Sequence, residues 1–227
     1  MTALDLLIRG GFVMWVLLAL SVVSLALILY KLVQFRLARL GTSKVLDNLE
    51  QRLRSEDPHR LQQQLADARS PLAHLAARAI TLCEEGSLSE EAIKAELERS
   101  AAEEVRRLDL HLKTLANLAH IAPLLGLLGT VTGMIGAFHS LEAAGMKVNP
   151  SLLAGGIWEA LLTTAFGLSI AIPTMAAYAF LDGKVDDAVA KMHDAAARVL
   201  VHYARRAAAD FPQKLSAVAA KMSVYAN

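Results

Sequence analysis

An all-α integral membrane protein with three membrane-crossing helices is the fold this sequence predicts, and three charge-poor stretches carry the prediction. Gly10 to Tyr30 holds 21 residues without Asp, Glu, Lys or Arg; Thr114 to Leu141 holds 28; Val148 to Leu181 holds 34, interrupted only by Glu159. About 20 apolar residues in a helix cross a hydrocarbon core of roughly 30 Å, so each stretch is long enough. The composition agrees: of 227 residues 55% are hydrophobic, yet only 5% are aromatic and 20% charged. That Ala- and Leu-rich balance lacks the aromatic filler of a water-soluble core.

The first stretch reads as a retained span. Arg9 and Asp5 precede it, and no small-residue cleavage site separates it from the basic run that begins at Lys31. The basic residues set the orientation. Lys31, Arg36, Arg39 and Lys44 crowd the C-terminal end of this span, whereas its N-terminal side offers Arg9 and the turn near Glu142 to Pro150 offers Lys147. Fourteen of the 23 Lys and Arg lie in Lys31–Lys113 and seven follow Leu181. Positive charge stays on the cytoplasmic side, which places the N-terminus outside and the long middle segment and the C-terminus inside. The expected segments are 1–30 (periplasmic end and first span), 31–113 (cytoplasmic helices), 114–141 (second span), 142–150 (periplasmic turn), 151–181 (third span) and 182–227 (cytoplasmic extension and tail).

Between the spans, Lys31 to about Leu53 reads as a charged continuation of the first helix, broken at Ser55-Glu56-Asp57-Pro58. Leu61 to Glu85 reads as one or two helices, with Ser70-Pro71 as a start signal and Gly86 as a stop. Ser87 with Glu90 fits a capping box. From there Ile93, Leu97, Ala101, Val105, Leu108, Leu112 and Leu115 recur at three- and four-residue steps into the second span. The pattern predicts one helix from about Leu88 to Leu141, roughly 80 Å long. Past the third span, Val185, Val189, Met192, Ala196, Val199 and Tyr203 keep the same spacing until Phe211-Pro212, the expected stop. Such stripes need partners, either in an oligomer, the favoured expectation, or in an intramolecular bundle. The tail from Gln213 carries no signal.

The composition also excludes functions. A formal net charge of +1 provides no basic field for nucleic acid. The single cysteine, Cys83, rules out an internal disulfide framework, argues against a thiolate metal site and reads as a small buried apolar residue. No zinc-protease, nucleophile-elbow or Walker signature is present, and His139 with Glu142 at i,i+3 does not make a metal site. The expectation is a non-enzyme with no catalytic residues, metal or cofactor.

Within the second span, Gly126, Gly129, Gly133 and Gly136 fall within an arc of roughly 80° at 100° per residue, a smooth seam for close helix approach. Pro123 precedes the seam and removes one backbone donor, which favours a kink. Glu159 sits well inside the third span, where a carboxylate costs several kcal/mol unless it pairs, faces water or holds a proton. Thr130 and Thr164 lie about 16 Å and 20 Å from the outer ends of their spans by helical rise, and so reach matching depth. Thr163 shares the face of Glu159, while Thr164 points elsewhere. A membrane threonine commonly bonds its own i−4 carbonyl. Hydroxyls at matching depth beside an acid also suit a path for a proton or hydrated ion. His120 and His139 lie near the span ends, at the interfaces.

Two runs carry a resemblance: Ile121-Ala-Pro-Leu-Leu-Gly-Leu-Leu-Gly-Thr-Val-Thr-Gly-Met134, and Gly156-Ile-Trp-Glu-Ala-Leu-Leu-Thr-Thr-Ala-Phe-Gly-Leu168, followed by Ala171-Ile-Pro173. Together they resemble the signature spans of the MotA/TolQ/ExbB proton channel family. Three spans and a large first cytoplasmic segment resemble its ExbB and TolQ branch. The resemblance implies a pentamer in a Gram-negative inner membrane, in contact with its lipids. Thr130, Glu159 and Thr164 would line an interior enclosed by the second and third spans. It also implies two single-span ExbD- or TolR-like partners bearing an aspartate, and a periplasm-spanning TonB- or TolA-like protein worked by proton flow.

Overall fold

The computed structural model describes residues 11–38, 44–144 and 150–225, with side chains described for 11–38, 48–143 and 153–209. Among the described residues the chain is all-helical. The helices are α1 (Gly11–Leu37), α2 (Lys44–Ser55), α3 (Pro58–Ala66), α4 (Pro71–Glu85), α5 (Glu90–Asp109), α6 (Leu112–Ala144) and α7 (Pro150–Tyr225). Three of them, α1, α6 and α7, are long and apolar enough to cross a membrane. Arg9, Arg39 and Lys147, and most of the expected turn at 142–150, lie outside the described residues or side chains.

The helix boundaries follow local chemistry, with four departures from expectation. The charged continuation of the first helix is not one element: α1 ends at Leu37 and α2 begins at Lys44. Asp57 caps α3, its carboxylate accepting from His59 N–H ahead of Pro58 at the first helical position. Ser70-Pro71 opens α4, and Gly86 ends it at φ +60°, a left-handed value that glycine takes without steric cost. The cap of α5 is Ser89, whose hydroxyl accepts from Ala92 N–H at 3.3 Å, two residues beyond the expected Ser87. The predicted helix from Leu88 to Leu141 is two helices, because His111 adopts φ +70° and stops the α5 ladder. Its carbonyl then accepts from Leu115 N–H at 3.0 Å to start α6. Phe211-Pro212 does not stop the last helix, which runs to Tyr225.

The chain forms two compact units. The first comprises Met1–Gln34 and Asp109–Gly183, and the second Phe35–Leu108 and Lys184–Asn227. In the second unit, Leu49, Leu61, Ile80, Leu97, Met192 and Val199 belong to one buried core. The stripes on α5 and α7 are therefore covered within the chain, as an intramolecular bundle, rather than left for an oligomer. Cys83 is half-buried beside this core; burial, and then the Glu84 carboxylate, push its thiol up to about 11. That keeps it an unreactive thiol at neutral pH.

In the first unit, Leu17 and Leu20 of α1 cluster with Ala122 of α6 and Ile170 and Ala171 of α7. The α1 helix is more than an apolar anchor. Ser24 is buried and its hydroxyl has no hydrogen-bond partner among the described residues. Lys31 is wholly buried, with its ammonium donating to Gln34 Oε1 at 2.9 Å. Tyr30 meets His111 edge-on at a ring separation of 5.9 Å.

Candidate functional site

The contact between α6 and α7 is set by residues too small to hold backbones apart. A Cβ added at Gly126 would lie 3.0 Å from the Thr163 carbonyl and 3.0 Å from Thr164 Cα, and one at Gly129 would collide with the Thr163 side chain. One at Gly133 would lie 2.9 Å from Ala160 Cβ. From the α7 side, a Cβ at Gly167 would come within 2.7 Å of the Ala122 carbonyl, and one at Gly156 within 2.5 Å of Ala137 Cβ. As the α6 number rises from 126 to 137, the α7 partner falls from 167 to 156. The two helices are antiparallel with no slip over three turns. Gly136 is exposed with open space around it. Pro123 is half-buried inside α6, which runs through it.

The α7 half of the seam had a readable signal. Gly156, Ala160, Thr163 and Gly167 recur at four, three and four residues, one narrow face of small side chains. All three from Ala160 onward are buried. What no sequence pattern shows is the acceptor at the centre, the Gly126 carbonyl. Thr164 Oγ1 donates to it at 2.9 Å across the helix pair. Thr163 Oγ1 also points at it, at 3.3 Å, but lies closer to Ala160 O in its own helix, at 2.7 Å. A hydroxyl has one proton, so Thr163 serves chiefly its own helix and Thr164 is the clamp between helices.

Register decides which hydroxyls share a depth. By the pairing above, Thr130 of α6 stands opposite Thr163, one residue from Thr164. Thr130 Oγ1 donates to Leu127 O at 2.6 Å. Thr163 is buried in the seam, whereas Thr130 and Thr164 are partly exposed. With their protons engaged on carbonyls, the oxygens of Thr130 and Thr164 keep lone pairs free to accept from water. Glu159, one turn before Thr163, is half-buried and has no hydrogen-bond or ion-pair partner among the described residues. His120 and His139 are exposed. Among the described residues no group of three His, Cys, Asp or Glu is placed to hold a metal.

Around the seam, Leu124, Leu127, Leu128, Val131, Ile135 and Phe138 of α6 point outward, as do Trp158, Leu161, Leu168 and Ile172 of α7. Large apolar side chains facing away from the contact suit a hydrocarbon or protein surround.

Residues 67–194, more than half of the chain, match the MotA/TolQ/ExbB proton channel family. Among similar proteins is the biopolymer transport protein ExbB of Neisseria meningitidis serogroup A. It is 29% identical over 211 residues, covering 86% of this chain and 93% of that one. A putative ExbB homologue of Methanothermobacter thermautotrophicus is 26% identical over 192 residues, 84% of this chain and 67% of its own. The exbB1 protein of Vibrio cholerae is 42% identical over 81 residues, 36% of each chain.

Proposed function

The chain belongs to the MotA/TolQ/ExbB proton channel family, and from that premise we propose that it is a motor subunit of a Gram-negative inner membrane whose α6 and α7 line a proton path. The observation that carries the reading is Glu159: a carboxylate in an apolar helix, without a partner among the described residues, one turn from a seam beside which three hydroxyls lie. A carboxylate at that depth needs water, a proton or a partner group, and in this reading water and a partner subunit provide them.

In this reading five copies enclose an interior, and a single-span ExbD-like subunit places an aspartate there. Protons pass between that aspartate and the water-accessible oxygens of Thr130 and Thr164. Thr163 fixes the helix spacing that holds them at one depth, and Glu159 sets the negative charge of the entry. Proton flow then moves the partner, which works a TonB-like protein for outer-membrane transport. The names of the similar proteins favour this task over the TolQ-like one with TolR and TolA partners. The N-terminus lies in the periplasm and the C-terminus in the cytoplasm.

The test is proton uptake into vesicles holding the chain and its aspartate-bearing partner, together with the mass of the complex. Thr164→Val and Glu159→Gln should keep a pentamer but abolish uptake. Full uptake in both variants would sink the conducting role and leave a scaffold.

A further inference from the structure

A cleft of 580 Å³ opens between α2 and α7 within the second unit, and four of its eight lining residues are arginines, set around a largely apolar surface. Arg54 comes from α2; Arg198, Arg205 and Arg206 come from α7, with His202 between them and Glu50 as the one lining acid among the described residues. Helical spacing explains the convergence. Arg198, His202 and the Arg205-Arg206 pair follow at three- and four-residue steps, so one face of α7 carries them all.

The acids already present do not fill the cleft. Glu50 accepts from Arg54 at 2.7 Å, Asp194 from Arg198 at 3.0 Å, and Glu84 lies 3.7 Å from Arg206. The four guanidiniums outnumber these three carboxylates, and Arg205 has no acidic partner among the described residues. The pairs are solvent-exposed, a setting in which an ion pair contributes little and exchanges readily. A guanidinium presents a planar fork of donors that matches phosphate oxygens two at a time. Ala197 and Val201 supply an apolar wall, against which such contacts are screened less than in bulk water. The volume lies in the range of small-molecule sites and exceeds that of a single phosphate.

We propose that this cleft is a binding site for a multiply charged, phosphate-bearing small anion of polyphosphate or nucleotide size. Arg54 on one side and Arg198, Arg205 and Arg206 on the other would grip its oxygens, tying α2 to α7. The same chemistry is presented by a soluble polyphosphate and by an anionic lipid headgroup.

The experiment is calorimetric titration of the full-length protein, purified in neutral detergent without anionic lipid, with inorganic tripolyphosphate and with orthophosphate. One tripolyphosphate should bind per chain, about tenfold or more tighter than orthophosphate, and more weakly as KCl rises. The Arg54→Gln/Arg205→Gln double variant should lose about tenfold or more in affinity, while Arg60→Gln, an exposed arginine on α3 outside the cleft, should bind as the wild type does. An unchanged circular dichroism spectrum and melting temperature would show the double variant to be folded. Wild-type affinity in the double variant, or no preference for tripolyphosphate over orthophosphate, would overturn the site. Competition by micellar phosphatidylglycerol that requires the same arginines would identify a lipid headgroup as the occupant. Tripolyphosphate binding without that competition would identify a soluble one.

Discussion

The α6–α7 seam and the core of the second unit are built from the same helical geometry by opposite rules. In the second unit the large side chains are inside: Leu61, Ile80, Met192 and Val199 are buried, while Glu90, Lys94, Arg99 and Glu103 form pairs on the surface. In the seam the small residues are inside, and the large ones, such as Leu127, Ile135, Leu161 and Ile172, face out. The difference follows from the solvent each region has to satisfy. Water drives apolar area inward; hydrocarbon does not, so close backbone approach and side-chain hydrogen bonds hold membrane helices together. The seam thus gains from glycine what the other core gains from leucine.

The largest expected effect breaks the seam at its tightest point. Gly129→Leu drives a side chain into Thr163, and overpacking against a neighbouring helix should cost more than about 3 kcal/mol. The variant should fail to accumulate as an assembled membrane protein, as read by detergent-resistant complex on a native gel. Gly136→Ala, with open space around it, should stay within about 0.5 kcal/mol of wild type. Equal behaviour of the two would remove the seam as an organising feature. Second in size is a cavity in the other region. Leu61, wholly buried, should cost about 3 kcal/mol on replacement by Ala, read as a lower urea midpoint for the second unit, with membrane insertion of α6 and α7 unchanged.

The two regions also differed in how much of them the sequence disclosed. The spans were legible because a helix with more than about 20 uncharged, mostly apolar residues in a row matches the thickness of a bilayer. Gly126, Gly129 and Gly133 were legible as a face because 100° periodicity needs only one helix. The facing residues on α7, Gly156, Ala160, Thr163 and Gly167, also share one readable face, but which of them meets which glycine required a register between two antiparallel helices, which no single-helix pattern contains. The break at Leu110–His111 left no trace either. Leu108, Leu112 and Leu115 keep helical spacing straight through it, and neither Gly nor Pro marks the left-handed residue. Ser87 was the expected cap, and only the bond from Ala92 N–H moves the cap to Ser89. Glu159 stood out as the lone charge of its span, but that it finds no partner among the described residues is a property of the fold.

A third, smaller effect separates conduction from packing inside the seam. Thr164→Val keeps the side-chain shape and deletes the donor to the Gly126 carbonyl. Hydrogen bonds between membrane helices average about 0.6 kcal/mol and seldom exceed about 1.7 kcal/mol, so the complex should lose little thermal stability. Proton uptake should fall far more than that loss accounts for. A stability loss comparable to that of Gly129→Leu would make Thr164 a packing residue and return the seam to a purely structural role.

The smallest effect tests whether the two regions answer differently to acid. Glu96 of α5 accepts from Arg99 at 2.8 and 2.9 Å and from Arg78 of α4 at 3.1 Å. The bonds to Arg99 first, then to Arg78, hold its carboxyl down to about 2, against an ordinary value of 4.5. A group whose value is lowered on folding contributes stability that is complete above its unfolded value and is lost as pH falls through the folded one. The contribution of Glu96 should therefore be complete above about pH 4.5 and disappear toward pH 2, and the exposure of both arginines keeps it small. Urea melts of the full chain between pH 6 and pH 2 should show the second unit weakening through that window, and Glu96→Gln should flatten part of the slope. The seam bonds join hydroxyls to carbonyls, neither of which titrates there, so helix pairing in the first unit should not follow the same curve. If both regions weaken together with one acid midpoint, the contrast between a charge-tied bundle and an uncharged seam is wrong.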